Sequence, residues 1–349
     1  MIAETARDLT AEWVSAALSG TGESTTVALV TAERVGTGQM GTTYRLLLDY
    51  ADGTSGPRRL IAKLAAENPD VRALVADGYR KEVTFYQTLA PTVSVRAPAC
   101  RYAAISADAT TFTLLLEDLD PATPGVQAQG CTVDQAEAAL LNVAKLHGPR
   151  WNDETLLDEG LQFYGAAADF VAQLQAGATE DFIEYFGDRL EPGAATTLRM
   201  AAERTAAWLT TRQEPFAPLH GDYRLDNLMF SGDADVVAVD WQTLSLGPAA
   251  RDVAYFLGTS LDVELRRRHE HRLVGTYHDE LTRQGVTGYS TESCFDDYRL
   301  GQLQAPMITT LGCMYSPGDR SSDIDEMFLT MANRSCAAIT DLQSFDLIA

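Results

Sequence analysis

Residues 220–242 constrain this chain more than any other stretch. His220-Gly221-Asp222-Tyr223-Arg224-Leu225-Asp226-Asn227 runs into an apolar segment, a turn and then Val239-Asp240-Trp241-Gln242. Leu228-Met229-Phe230 reads as a short strand, Ser231-Gly232-Asp233 as a turn, and Val236-Val237-Ala238-Val239 as the return strand. A hairpin of that size would bring Asn227 and Asp240 together at one metal ion. An Asp, an Asn five residues on and an Asp thirteen beyond that form the set that phosphoryl transfer uses. The first carboxylate takes the acceptor proton, and the amide and second carboxylate hold the Mg2+ that carries a triphosphate. Taken singly, Asp222 also reads as an Asx-turn residue and Asn227 as a strand-end cap. The ordered series is much rarer than its parts.

The upstream half supplies matching pieces. Thr10–Leu18 reads as a helix closed near Gly20, and Thr25–Arg34 as a strand. Gly36-Thr37-Gly38-Gln39-Met40-Gly41 follows, then a β-branched and aromatic run from Thr42 to Tyr50. A strand, a Gly-rich turn and a strand can lay backbone N–H groups over phosphates, with Gly36, Gly38 and Gly41 allowing the close approach. A dinucleotide-binding loop would need a helix directly after the glycines, and a plain hairpin turn is the simpler alternative. Arg58–Leu64 reads as a third strand bearing Lys63, the candidate for the α- and β-phosphates; an edge-strand surface lysine is the plainer reading. Ala73–Leu89 has helical periodicity with Val83, Tyr86 and Leu89 inward. Glu82, nineteen residues after Lys63, is the candidate partner of that lysine, against a solvated helix glutamate. Thr111–Leu116 reads as a strand leading to Glu117-Asp118-Leu119-Asp120-Pro121, where backbone groups of Glu117 to Leu119 would hold an adenine.

In the second half, Thr132-Val133-Asp134-Gln135 fits a capping box that opens a helix to about His147. His147 reads as structural. Further helices are expected near Asp158–Ala176 and Ala194–Thr211. Asp252 would begin a helix and brace the 220–227 loop through backbone hydrogen bonds, or simply sit as an N-terminal helix carboxylate. Eleven residues separate Asp240 from Asp252, which leaves no room for a long activation loop. Leu300–Tyr315 is mostly apolar, with Pro306 expected to kink or break a helix. It could line a lipophilic pocket through Met307, Met314 and Tyr315, or be a buried core helix. Asp296, Asp297 and Tyr298 could meet a cationic acceptor, or form a solvated helix face. Arg224 and Trp241 complete the acceptor candidates.

Composition narrows the class. The chain has 349 residues, 46% of them hydrophobic, and a formal charge of −22. That charge repels nucleic-acid backbones and anionic lipids. No stretch is apolar for long enough to suggest membrane insertion, and the N-terminus lacks a basic-then-apolar leader, so a cytoplasmic protein is expected. The five cysteines are odd in number, widely spread and without a C-x-x-C pair. They read as reduced thiols rather than a disulfide or zinc framework.

These elements together resemble the aminoglycoside phosphotransferase/choline kinase superfamily, with the protein-kinase-like fold. The Asp240-Trp241-Gln242 form is similar to its ecdysteroid-kinase-like (choline-kinase-like) branch. The 220–227 segment also resembles the kinase portion of proteins acting on hydroxyacyl-CoA. The resemblance implies an α+β bilobal fold: residues 1–116 as a small antiparallel sheet lobe with one main helix, 117–121 as a hinge, and 122–349 as a mainly helical lobe. It implies ATP and Mg2+ as cofactors, with Asp222 catalytic, Asn227 and Asp240 as metal ligands, and His220 and Asp252 as support. Gly36, Gly38, Gly41, Lys63, Glu82, Glu117 and Leu119 would face the nucleotide. The partner would be a small-molecule hydroxyl acceptor, either a lipophilic or acyl-linked alcohol, or an amino alcohol or aminoglycoside. A catalytically silent nucleotide-binding protein is the alternative outside enzymes, although Lys63, Asp222, Asn227 and Asp240 are all present.

Overall fold

The computed structural model describes residues 1–19, 25–36, 40–315 and 320–348. Gly20 and Gly38 therefore lie outside the described residues. The chain divides into two compact units: residues 1–91, 97–120 and 240–242 form one, and 92–96, 121–239 and 243–349 the other.

The first unit is built on a five-stranded antiparallel sheet of order β1-β2-β3-β5-β4. Its strands are β1 (Val27–Arg34), β2 (Gly41–Tyr50), β3 (Arg59–Ala65), β4 (Cys100–Ile105) and β5 (Phe112–Glu117). Helix α1 (Ala11–Ser19) contributes Val14, Ala17 and Leu18 to a core with Leu46, Leu48, Leu60, Ala62 and Leu64. Alternation along β2 and β3 sends Leu46, Leu48, Leu60 and Leu64 inward, as the two-residue period of a strand requires. Lys63 pairs with Thr43 on β2 and Leu114 on β5, so it lies on a central strand rather than an edge.

Helix α2 spans Pro69–Thr84 and so begins four residues before the expected start at Ala73. Asn68 caps it by accepting from the Asp70 N–H, and Pro69 occupies its first position, where a missing N–H costs nothing. A π-turn (Phe85–Leu89) continues it and buries Phe85, Tyr86 and Leu89.

The second unit is mainly helical. Its strands β6 (Thr123–Pro124), β7 (Ala217–Leu219), β8 (Leu228–Ser231), β9 (Asp235–Ala238) and β10 (Ser245–Gly247) form two small sheets. Helix α3 (Val133–His147) carries the capping box as read, with Thr132 and Gln135 bonding reciprocally. Then come α4 (Thr155–Asp158), α5 (Ala168–Phe186), α6 (Ala194–Thr211), α7 (Ala250–Ser260), α8 (Val263–Arg283), α9 (Thr291–Gly301), α10 (Gln304–Tyr315) and α11 (Ser322–Asp341). The helix expected over Asp158–Ala176 is displaced: the chain turns at Gly160 with φ +81° and the long helix starts only at Ala168. Pro306 does not kink α10. It is the third residue of the helix, within the first turn whose N–H groups have no intrahelical acceptor. No helix among the described residues is long and apolar enough to cross a membrane.

Candidate active site

In the sheet unit, Lys63 Nζ lies 2.8 Å from the Glu82 carboxylate and 3.5 Å from Asp240 Oδ1. Glu82 is 1% exposed, and an unpaired carboxylate so placed would be strongly unfavourable. Its second donor is Gln242, whose Nε2 lies 3.1 Å from Oε2. Burial pushes the Glu82 carboxyl up, against the pull of Lys63. Burial also opposes the Lys63 charge, but Asp240 and Glu82 outweigh it and hold Lys63 above the ordinary lysine value. Gln242 had no assigned role in the sequence; the polar residue two positions after Asp240 was its only signal.

Asp240 adopts φ +65°, a left-handed conformation that Asp tolerates better than most residues and that costs on the order of 1 kcal/mol or more. Trp241, expected beside an acceptor, is fully buried and stacks on Phe85 at 3.5 Å between ring centroids. Its side chain packs the sheet unit and offers no surface to a ligand. Gly41 stands where a Cβ would meet the Leu64 carbonyl at 2.8 Å. Gly36 has φ +73° at the edge of the undescribed 37–39 stretch. Glu117 ends β5; its carboxylate accepts from the Ala99 N–H at 3.0 Å, and Leu119 follows it into the 118–120 turn. The sequence did not single out Asp118 by itself. Its 3%-exposed carboxylate receives Arg45 Nε at 2.8 Å and Nη2 at 3.2 Å and so pins this segment to β2.

In the helical unit, β7 delivers the chain to His220. Gly221 turns at φ +83°, and a Cβ there would meet the Thr243 carbonyl at 2.5 Å, so the turn requires glycine. Asp252, fully buried at the start of α7, accepts from the His220 N–H (2.7 Å) and the Gly221 N–H (3.0 Å). Its Oδ2 also lies 3.3 Å from His147 Nε2, and the other ring nitrogen of His147 meets the Tyr277 hydroxyl at 2.8 Å. The Asp222 N–H donates to His220 Nδ1, so the ring proton sits on Nε2 and goes to the Val239 carbonyl at 3.0 Å. Gln304 Nε2 and Thr243 Oγ1 hold the Gly221 and His220 carbonyls at 3.1 and 2.7 Å.

The Asp222 carboxylate gathers three side chains. Asn227 Nδ2 is 3.0 Å and Arg224 Nε 3.2 Å from Oδ2, and Tyr255 Oη is 2.8 Å from Oδ1. Asn227 Nδ2 also donates to the Asp222 carbonyl, which leaves Asn227 Oδ1 as a hard donor for a cation. Arg224 reaches on to Asp226 at 2.6 Å and Met327 Sδ at 2.9 Å. Burial works against its charge, but Asp222 and Asp226 outweigh it and push Arg224 above its ordinary value.

The remaining acceptor candidates separate. Tyr298 is fully buried and donates to Glu270 at 2.8 Å. Its neighbour Asp297 is 4% exposed and bonded to Tyr289 and Arg212, so these two form no solvated face, whereas the Asp296 side chain is 41% exposed. Met307 is a core residue beside Trp208, Leu300 and Leu303, and Met314 packs partly buried against the Phe182 cluster. Only Tyr315 of this set is exposed.

A five-stranded antiparallel sheet with its flanking helix, and a helical unit bearing the His-Gly-Asp loop, define the protein-kinase-like α+β fold. Residues 36–285 match the model of the ecdysteroid kinase-like family, and the chain belongs to that family of kinase-like small-molecule phosphotransferases. Among solved structures, it is similar to a spectinomycin phosphotransferase in complex with ADP and spectinomycin: 10% identity, 96% of this chain and 99% of that one, TM-score 0.53. It is also similar to the aminoglycoside 2'-phosphotransferase-IIIa in its GDP complex (12%, 93% and 98%, 0.52). An ethanolamine kinase from Plasmodium vivax gives 9%, 90% and 81%, with a TM-score of 0.54. A mouse protein, acyl-CoA dehydrogenase family member 10, is 45% identical over 67 residues, 18% of this chain; the match spans 6% of that protein's length.

Proposed function

We propose that this protein is an ATP- and Mg2+-dependent kinase that transfers the γ-phosphoryl group to a hydroxyl of a small molecule. The observation that carries the reading is the Asp222 carboxylate, fixed by Tyr255, Asn227 and Arg224 on a loop whose backbone is tied to Asp252. Asp222 takes the acceptor's proton as its oxygen bonds to the γ-phosphorus, and ADP leaves with the electrons of the broken P–O bond. Asn227 and Asp240 would supply hard oxygens to Mg2+. Bound Mg·ATP supplies the phosphoryl group and the neutralising charge. Lys63, held by Glu82, meets the phosphates; Gly36 and Gly41 let backbone approach them, and Glu117 and Leu119 offer backbone groups to the base.

The acceptor we favour is a lipophilic or acyl-linked alcohol. A cavity of about 440 Å³ in the helical unit is walled by Val126, Ala128, Ile324 and Met327, the last in contact with Arg224. The likeness to the mouse acyl-CoA dehydrogenase family member supports an acyl-linked substrate. Asp226 and Asp323 on the same cavity favour the second reading, an amino alcohol or aminoglycoside.

The test is a mass-spectrometric screen for a gain of one phosphate with Mg·ATP and pooled sterols, hydroxyacyl-CoAs, amino alcohols and aminoglycosides. A product made by the wild type and not by Asp222→Asn establishes the kinase and its acceptor class. Failure to bind Mg·ATP at all would sink the reading.

A further inference from the structure

We propose that Tyr255 is the positioning residue of Asp222: its hydroxyl occupies one side of Oδ1 and so sets the direction from which an acceptor hydroxyl reaches that oxygen. The inference rests on Asp222 being the base.

A carboxylate oxygen offers two lone-pair directions. Oδ2 of Asp222 has both taken, by Asn227 Nδ2 and Arg224 Nε. Oδ1 receives Tyr255 Oη at 2.8 Å and, among the described residues, no second donor. The incoming hydroxyl and Tyr255 therefore share Oδ1, and fixing one fixes the approach of the other.

Tyr255 is built to stay fixed. It follows Asp252 by three residues, so both side chains leave the same face of α7. Asp252 holds the backbone of the loop at His220 and Gly221, and Tyr255 holds its reactive side chain. One helix thus sets both. The phenol ring is fully buried against Ala305 of α10 and Met331 of α11, flanked by Ile308, Met327 and Phe328. Burial, and then the Asp222 charge, push the phenol well above its ordinary value. It remains a donor and never competes for the proton.

Tyr255→Phe removes only the hydroxyl. It is compared with Asp222→Asn and the double variant, using Mg·ATP with water as the sole acceptor, by ADP release and by proton NMR. Tyr255→Phe should slow ADP release roughly 10- to 100-fold, the worth of a hydrogen bond to a charged group, at unchanged KM for Mg·ATP. The double variant should be no slower than Asp222→Asn. Among the downfield hydroxyl protons of the wild type, one should be absent in Tyr255→Phe and displaced in Asp222→Asn. Equal slowing in both backgrounds, or a raised KM with unchanged kcat, would assign Tyr255 to packing and overturn the proposal. Wild-type turnover by Asp222→Asn would overturn the base reading instead. Should ADP release be undetectable throughout, the resonance decides: one indifferent to Asp222→Asn, or none, overturns the positioning role.

Discussion

Glu82 and Asp222 are both carboxylates with restricted access to water, and their surroundings differ in kind. Glu82, 1% exposed, answers a cation: Lys63 sits on one side and the Gln242 amide on the other. Asp222, 23% exposed, is held by a phenol, an amide and a guanidinium, with its backbone N–H tied to His220. The first centre fixes a positive charge in place. The second orients a carboxylate and leaves one lone pair of Oδ1 open among the described residues. On our reading the sheet unit therefore governs nucleotide affinity and the helical unit governs transfer.

The sharpest break of that division comes from Asp222→Asn. Turnover should fall about 10²- to 10⁴-fold while Mg·ATP affinity, measured by calorimetry, stays within twofold of wild type. An equal loss of affinity would merge the two roles. Asp252→Ala should cost about 3 kcal/mol in urea unfolding, because it strands the buried N–H groups of His220 and Gly221; a neutral result would mean the loop is held elsewhere. Glu82→Gln should weaken Mg·ATP binding roughly 10-fold, about one charge-assisted hydrogen bond, with kcat at saturating nucleotide unchanged. The smallest effect is alkaline. Lys63 is raised above 10.5, so its stabilisation is complete below that value and is lost as pH rises through its folded value. Melting curves of wild type and Lys63→Met between pH 9 and 12 should therefore converge at the top of the range. Curves that stay parallel would show that Lys63 does not carry this limb.

Legibility in the sequence followed the range of the interactions. Strands β1, β2, β3 and β5 and the α3 capping box are marked by alternating or capping residues a few positions apart, which the sequence displays, whereas β4 was not read. The start of α2 was signalled by Asn68-Pro69 and overlooked in favour of hydrophobic periodicity, which begins later. The start of α5 was obscured because Leu156-Leu157-Asp158-Glu159 before Gly160 and the Ala-rich run after Gly165 are both helix-like. Tyr298 and Met307 looked like acceptor residues because apolar and aromatic side chains line pockets and cores alike; only packing separates them. Tyr255 and Gln304 meet the 220–227 loop from 33 and 83 residues away, and Gln242 meets Glu82 from 160. No local pattern encodes such pairs.

The sheet unit includes three residues, Asp240 to Gln242, that follow more than a hundred residues of the other unit. In the order of synthesis, the first unit to emerge is thus completed only after much of the other unit has followed it. Until residue 242 leaves the ribosome, Glu82 lacks Gln242, Lys63 lacks Asp240, and the face of Phe85 lacks the indole that covers it. A fragment ending at residue 120 would carry those three vacancies permanently. Its charged core would open to water, and the sheet unit could not be obtained as an independent piece by cutting the chain once.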